Sequence, residues 1–147
     1  MCEAPQVATD PTLAWLAVAT SLHAGFQLTV TVVVYPALAD VADDDWTARH
    51  ASHSRRITWV VGPVYVGLAA ACLAILVAGP RSPLALVAVA ASAAAAGLTA
   101  FVAAPAHARL GGGRRPEVLT RLLRADRLRL AAALVGAGTA VAALLLD

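Results

Sequence analysis

Two histidines lie three residues apart in the stretch WTARHASHSRRITW, residues 46–59, directly before a long apolar run. At this spacing His50 and His53 share one face of a helix, together with Trp46. A third imidazole, His107, lies near the end of another apolar run. A neutral imidazole accepts a proton near neutral pH and also binds transition metals. We therefore predict that the three histidines form one site, acting as a general base or as ligands of a metal ion.

Each of these histidines also has a purely structural interpretation. His50 and His53 can be polar residues at a membrane boundary, and His107 can interact with the carbonyl groups at a helix C-terminus. An HxxH pair is weak evidence by itself, and the sequence contains no HExxH, CxxC, Walker or GxSxG motif. The chemical interpretation requires imidazoles from separate helices to meet at one depth.

A second group of polar residues, His23, Gln27 and Thr31, recurs every four positions within the first apolar run. On a helix this spacing forms one polar stripe, and polar groups at mid-membrane depth are expected to face the interior of a bundle. The stripe can supply hydrogen bonds between helices or line a pocket for a ligand. We predict a role in substrate binding, with His23 also able to titrate or to bind a metal.

Charged residues before the last apolar run complete the candidate site. In RLLRADRLR, residues 121–129, Asp126 is the only acid among four arginines. A guanidinium can hold an anionic or enolic ligand. Arg127 or Arg129 can take this role, and we assign it to Arg129, although arginines here can also set topology and attract anionic lipids. The predicted catalytic residues are His50, His53, His107 and Arg129. The predicted substrate-binding residues are His23, Gln27, Thr31, Trp46, Tyr35 and Asp126.

The composition predicts the elements that carry these residues. Of the 147 residues, 60% are apolar and only 14% are charged, with a mean hydropathy of +0.75, which excludes an ordinary soluble domain. Four stretches contain no charged residue: 11–39, 57–80, 82–108 and 130–146. About 20 residues cross the hydrocarbon core of a membrane. The fourth stretch is the shortest, and it can be lengthened if Arg129 extends its head group to the interface.

We predict an all-α integral membrane four-helix bundle with up-down topology, in a single domain over residues 1–147. The spans are predicted at about 12–38, 57–79, 83–105 and 128–146. Pro36 predicts a kink or the end of the first helix. Small residues dominate the third span in ASAAAAGLTA, residues 91–100, and allow close approach of neighbouring helices.

The placement of arginine predicts the orientation in the membrane. Ten of the eleven basic side chains lie between the first two or the last two spans, and only Arg81 lies between the second and the third. Basic residues accumulate on the cytoplasmic side. We therefore predict cytoplasmic long loops, both termini outside, and a multi-pass protein of the bacterial cytoplasmic (inner) membrane. The expected partners are the lipid bilayer and a small lipophilic molecule, with a homo-oligomer or a larger membrane complex left open and no nucleic acid.

Four segments together resemble a family of small four-span bacterial membrane proteins. They are HAGFQLTVTVVVYPAL, W-x3-H-x2-HSRRI-x3-VGP, AP-x-HARL and RLLRADRLR, and in this order they span most of residues 20–130. In that family the third motif reads like PLHxRL. Pro105, His107, Arg109 and Leu110 match it.

The fourth motif of that family begins TNWxRT. Arg129 matches its arginine, whereas Asp126 stands in place of the asparagine and Arg127 in place of the tryptophan, which argues against a stacking role at that position. The four segments are similar, more loosely, to the DUF1772 or anthrone-oxygenase-like group. That group is associated with cofactor-independent oxidation of polyketide anthrones to anthraquinones, and the resemblance implies the same class of activity here.

These observations favour a membrane-embedded oxidoreductase or oxygenase that acts on a small lipophilic molecule such as a polyketide or a quinone. A histidine would remove an acidic proton, the carbanion would react with O₂, and an arginine would stabilise the oxyanion. The residues leave open whether the chemistry uses no cofactor, a transition metal or haem. The alternative is a non-catalytic accessory or packing subunit of a larger membrane complex, which the alanine-rich third span favours. A transporter is disfavoured, because the predicted spans contain no acidic residue.

Overall fold

The computed structural model describes residues 10–146, and within that range the chain is helical, with no strand. Four long helices follow one another: α1 is Pro11–Ala39, α2 is Asp43–Ala78, α3 is Pro83–Leu110 and α4 is Pro116–Leu146. Each is long and apolar enough to cross a membrane. The prediction of an all-α protein with four long apolar helices is confirmed, and these helices indicate a multi-pass membrane protein.

Local capping interactions explain where two of the helices begin. Asp10 caps α1, because its Oδ1 accepts a hydrogen bond from the Thr12 backbone N–H at 2.7 Å, and Pro11 then occupies the first helical turn. Hydrogen bonds from Thr12 hold the pKa of the exposed Asp10 carboxyl below its ordinary value. Ser82 caps α3 in the same way, with its Oγ accepting from the Ala85 backbone N–H at 3.3 Å.

A π-helical turn interrupts α1 at Val30–Val34 and α3 at Thr99–Ala103. Each turn ends two residues before a proline, Pro36 in α1 and Pro105 in α3. Proline has no backbone N–H and its ring clashes with a carbonyl of the preceding turn, so a wider turn lets the helix continue. The extra residue of a π turn also rotates everything that follows it about the helix axis. The expected kink or stop at Pro36 is therefore replaced by a wider turn, after which α1 continues to Ala39.

Small residues bring the helices close together. α4 packs against both α1 and α3, α2 packs mainly against α1, and the contact between α2 and α3 is limited. Between α3 and α4, a Cβ atom on Gly136 would be in ordinary van der Waals contact with Ser92 Oγ, at 3.4 Å. Because α2 and α3 pack against each other only over a short length, the bundle has room for a cavity between them.

Most of the buried apolar side chains form two clusters. The first is Leu13, Leu16, Ala17, Ala71, Ile75, Ala85, Ala88, Ala140 and Ala143. The second is Val30, Tyr35, Leu38, Trp46, Ala103, Ala106, Leu110, Leu119 and Leu122. Along α1 the buried His23 and Gln27 lie between the two clusters, and along α4 the buried Asp126 and Arg129 do. A polar layer therefore separates the two parts of the core.

The outer surface is rich in large apolar side chains. Six of them expose more than two thirds of their surface: Trp59, Val66, Val77, Phe101, Leu145 and Leu146. A water-soluble monomer rarely exposes so much apolar surface. Contact with lipid hydrocarbon accounts for it, in agreement with the length of the helices.

Candidate functional site

Three side chains from three helices form a chain of hydrogen bonds. Tyr35 Oη in α1 lies 3.0 Å from His107 Nε2 in α3, and His107 Nδ1 lies 3.3 Å from His50 Nε2 in α2. The ring of His53 stacks on that of His107, with centroids 5.8 Å apart. The three imidazoles that the sequence places at one depth therefore do lie together.

Trp46 supports this histidine cluster from behind. Its ring stacks on that of His50 at 5.6 Å between centroids, and its Nε1–H donates to the Leu110 carbonyl at 2.9 Å. The guanidinium of Arg114 lies 5.7 Å from the centroid of the Trp46 ring, and Arg114 also donates to the Ala39 carbonyl at 2.7 Å. Trp46, predicted to bind substrate, thus lies behind His50, where it ties the ends of α1, α2 and α3 together.

A cavity of about 300 Å³ lies between α2 and α3, with α1 and α4 behind it. Its lining residues are Phe26, Val30, Tyr35, His53, Ser54, Ile57, Thr58, Val61, Gly62, Thr99, Ala103, Ala104, His107 and Arg129. This volume is at the lower end of the range for small-molecule sites, and the mixture of apolar walls and a few polar groups is typical of them. Of the predicted site residues, Tyr35, His53, His107 and Arg129 line the cavity.

Arg129 belongs to a buried network that joins α1 to α4. Its Nη2 donates to Gln27 Oε1 at 2.8 Å, and its Nη1 lies 3.8 Å from Asp126 Oδ1. Gln27 Nε2 donates to the same carboxylate oxygen at 2.5 Å. The expected extension of Arg129 to the interface is therefore wrong, because its partners hold the guanidinium inside the bundle, where it is 4% exposed.

The other predicted residues lie outside the cavity. His23 is buried, with its ring edge-on to that of Tyr65 at 5.0 Å between centroids, and Tyr65 in turn shares a hydrogen bond of 2.6 Å with Thr99. The hydroxyl of Thr31 donates to the backbone carbonyl of Gln27 at 2.9 Å. Thr31 and Asp126 contribute to a separate recess of about 130 Å³. The polar stripe of α1 therefore lies outside the cavity, and Gln27 of the stripe holds the cavity-lining Arg129 in place.

Within residues 10–146, three buried side-chain atoms have no hydrogen-bond partner: His23 Nε2, Ser54 Oγ and Arg129 Nε. Buried polar atoms without a partner are rare in folded proteins and each calls for an explanation. Two of the three belong to residues that line the cavity. Ser54 was not among the predicted site residues. Its position four residues after His50 was the available signal, but serine is too common on helices to be singled out by spacing.

The geometry does not support the metal interpretation of His50, His53 and His107. Both ring nitrogens of His107 are engaged by hydrogen bonds, one to Tyr35 and one to His50. Across the described residues 10–146, no group of three or more histidine, cysteine or acidic side chains is arranged to hold a metal ion.

The fold and the site define a small helical multi-pass membrane protein with a histidine-lined cavity. No protein-family model, no curated protein and no solved structure matches this chain.

Proposed function

We propose that this chain is a membrane-embedded oxidoreductase of the oxygenase type, acting on a small lipophilic molecule in the cavity between α2 and α3. One observation carries the proposal. A cavity with largely apolar walls brings together the imidazoles of His53 and His107 and the buried Arg129, whose Nε–H has no hydrogen-bond partner within residues 10–146. A weakly acidic apolar molecule, such as an enolisable ketone, fits the apolar walls, the imidazoles and the Arg129 donor together.

The position of the cavity supports entry of a ligand from the bilayer. Its lining includes Thr58 of α2 and Ala104 of α3, and both are exposed on the outer surface of the bundle. A molecule dissolved in hydrocarbon can pass between these helices without crossing water. This route favours a polyketide- or quinone-like molecule over a polar metabolite.

The proposed reaction begins with the removal of a proton from a methylene group that is flanked by two aryl rings and conjugated through them to a ketone. The histidine cluster accepts the proton, and the Nε–H of Arg129 stabilises the enolate oxygen. The carbanion adds to O₂, and return of the proton gives a hydroperoxide. Loss of water from the hydroperoxide breaks the O–O bond and leaves a second carbonyl. One O₂ is consumed and one water is formed for each CH₂ group converted to C=O, so no further reductant is needed.

Oxygen uptake with anthrone as substrate tests the function. Purified wild-type protein is expected to consume one O₂ per anthrone, and His107→Ala to lower kcat/KM by about 100-fold or more, the usual contribution of a general base. Arg124→Ala is the matched control, because Arg124 is exposed and lies outside the cavity. An absorption spectrum and the metal content of the same sample report whether a cofactor is bound. Wild-type protein that consumes no oxygen contradicts the oxygenase.

The second candidate is a non-catalytic accessory subunit of a larger membrane complex. The observation that favours it is the outer face of α3, where Ala90, Ala93 and Ala94 are exposed. Small residues let a neighbouring helix approach closely, so this face can receive a helix of another chain. Co-purification of a stoichiometric partner together with no oxygen uptake would favour this candidate.

We also propose an up-down topology in the bacterial inner membrane, with both termini outside. The distribution of the arginines supports this orientation. The first apolar cluster supports the topology, because in it the N-terminal parts of α1 and α3 meet the C-terminal parts of α2 and α4.

A reporter fusion tests that orientation. Alkaline phosphatase fused after Asp147 is expected to be active, and a fluorescent protein at the same position is expected to stay dark. The matched control places each reporter after Gly112, in the arginine-rich loop, where the outcomes reverse. Activity of the phosphatase at Gly112 alone would contradict the orientation.

A further inference from the structure

We infer that Tyr35 takes the proton from the ligand and passes it to His107 and His50, so that the base of this site is a three-residue relay. The inference rests on the proposed function, because it concerns the proton that the reaction removes. Tyr35, His107 and His50 come from three different helices, so only the assembled bundle contains the relay.

The two nitrogens of His107 are the first reason. An imidazole has two ring nitrogens and no other hydrogen-bonding atom. Here one lies 3.0 Å from Tyr35 Oη and the other 3.3 Å from His50 Nε2. Neither nitrogen is free to meet a ligand directly. Tyr35 and His107 both line the cavity, so the tyrosine hydroxyl provides the connection between a bound ligand and the imidazole.

Protons can move along these hydrogen bonds without any rearrangement of heavy atoms. In the starting state the Tyr35 hydroxyl donates to His107 Nε2, and His107 Nδ1–H donates to His50 Nε2. The ligand's proton moves to Tyr35 Oη, the hydroxyl proton moves to His107 Nε2, and the Nδ1 proton moves to His50 Nε2. The products are a ligand carbanion, a neutral Tyr35, a neutral His107 with its proton on Nε2, and a His50 imidazolium. One negative and one positive charge form, and no atom is lost.

Two features near His50 stabilise a positive charge there, although its ring is buried and burial opposes the charge. The face of the Trp46 ring lies against its imidazole at 5.6 Å between centroids, and aromatic faces attract cations. His107 lies in the last turn of α3, where the partial negative charge of a helix C-terminus favours a cation nearby. The positive charge is also delivered away from the cavity, because His50 does not line it. The proton returns to the peroxide of the ligand along the same hydrogen bonds.

The two π turns place the relay. Tyr35 is the first residue after the π turn of α1, and His107 follows the π turn of α3 by four residues. An inserted residue turns the following side chains by about 100° about the helix axis. This rotation directs the Tyr35 hydroxyl of α1 and the His107 ring of α3 towards each other. Single π turns inside α-helices occur frequently at functional sites.

His53 is the competing candidate for the base. It lines the cavity and stacks on His107 at 5.8 Å between ring centroids. Its ring makes no hydrogen bond to any other residue of the range 10–146. If His53 were the base, the relay would have no part in proton removal. The test must therefore separate Tyr35 from His53.

Hydrogen–deuterium exchange of the anthrone methylene group in D₂O under argon measures proton removal without oxidation. Wild-type protein is expected to accelerate exchange over empty detergent micelles, and Tyr35→Phe to slow it by about 100-fold, within the usual range for acid–base groups. His50→Gln is expected to slow it by about 10-fold, because the relay then lacks its last acceptor. Tyr65→Phe is the matched control, a tyrosine of the same bundle outside both the relay and the cavity lining.

A fluorotyrosine experiment distinguishes a chemical role from a structural one. The chain contains two tyrosines, so fluorotyrosine incorporated into the Tyr65→Phe protein labels Tyr35 alone. Fluorination makes the phenol more acidic with little change in size. The exchange rate is expected to change with that acidity, whereas a purely structural Tyr35 would leave the rate unaltered.

The outcomes separate the relay from the oxygenase. Exchange under argon that is lost in Tyr35→Phe, with no oxygen uptake in air, supports the relay and contradicts the oxygenase. Exchange that survives in Tyr35→Phe but is lost in His53→Gln overturns the relay. Wild-type protein that exchanges no faster than empty micelles also overturns it. Circular dichroism of each variant shows whether a lost rate reflects a lost fold.

Discussion

Replacing Arg129 by leucine is expected to destabilise the bundle by about 3–5 kcal/mol, the usual cost of leaving one member of a buried ion pair without the other. Asp126 would keep its bond from Gln27 but lose the cation 3.8 Å from its carboxylate. Gln27 would also lose the donor to its Oε1. Both residues are almost completely buried, so water cannot replace what is lost.

The free energy of unfolding in mixed micelles, measured by titration with a denaturing detergent, checks this expectation. Arg127→Leu is the matched control, because Arg127 lies on the same helix with its side chain exposed, and such changes usually stay within about 0.5 kcal/mol. The double variant Asp126→Leu/Arg129→Leu is expected to recover most of the loss, since it removes both charges together. A single variant as stable as the control would show that Arg129 is not needed to neutralise Asp126.

This ion pair has a consequence for function. Buried ion pairs contribute little net stability compared with apolar residues of the same size. Arg129 nevertheless lines the cavity, and its Nε–H has no hydrogen-bond partner in the part of the chain that the structure describes. Gln27 and Asp126 hold the guanidinium in place, and the protein gains a positioned donor where a ligand oxygen can bind. A role of this ion pair in ligand binding therefore explains its presence better than a contribution to stability does.

Replacing Trp46 by alanine is expected to cost about 3–5 kcal/mol, the usual range for a buried aromatic side chain. Trp46 is 1% exposed and belongs to the second apolar cluster. Its removal also deletes the bond from Nε1 to Leu110 and leaves that buried carbonyl without this donor. His50 would lose the ring on which it stacks. The variant is therefore expected to lower the exchange rate as well as the stability.

Trp59→Ala provides the matched control for Trp46. The same chemical change is made in the same helix, but the Trp59 side chain is 83% exposed and its loss leaves no cavity. Its free energy of unfolding is expected to remain close to that of the wild type. Equal destabilisation by both variants, measured in the same titration, would contradict the buried role of Trp46.

Part of the site could be predicted from the sequence. The spacing of His50 and His53 and the place of His107 at the end of a charge-free stretch indicated a common depth, and these three side chains meet. His23 and Gln27 were expected to face the interior, and both are buried. These predictions succeeded because a polar group in a long apolar helix has few alternatives to facing its neighbours.

Other parts of the site could not be predicted in this way. The sequence pattern allowed Arg129 to extend to the interface, whereas its partners Gln27 and Asp126 hold it inside. Trp46 was expected at the substrate but supports His50 from behind. Ser54 carried no distinguishing signal and lines the cavity. Each outcome depends on which side chain of another helix is nearest, and residue spacing within one helix contains no information about that.

The sequence by itself determined four long apolar helices. Each charged residue placed in hydrocarbon carries its own free-energy cost, so the membrane-spanning stretches can be recognised from composition. It also indicated that His50, His53 and His107 lie at a common level of the bundle. Only the tertiary structure decided which helices pack closely, that α2 and α3 leave a cavity, and that two π turns bring the Tyr35 hydroxyl to His107. Those features depend on the rotation of each helix about its own axis, which is set by the packing of small residues and by the prolines that widen the helical turns.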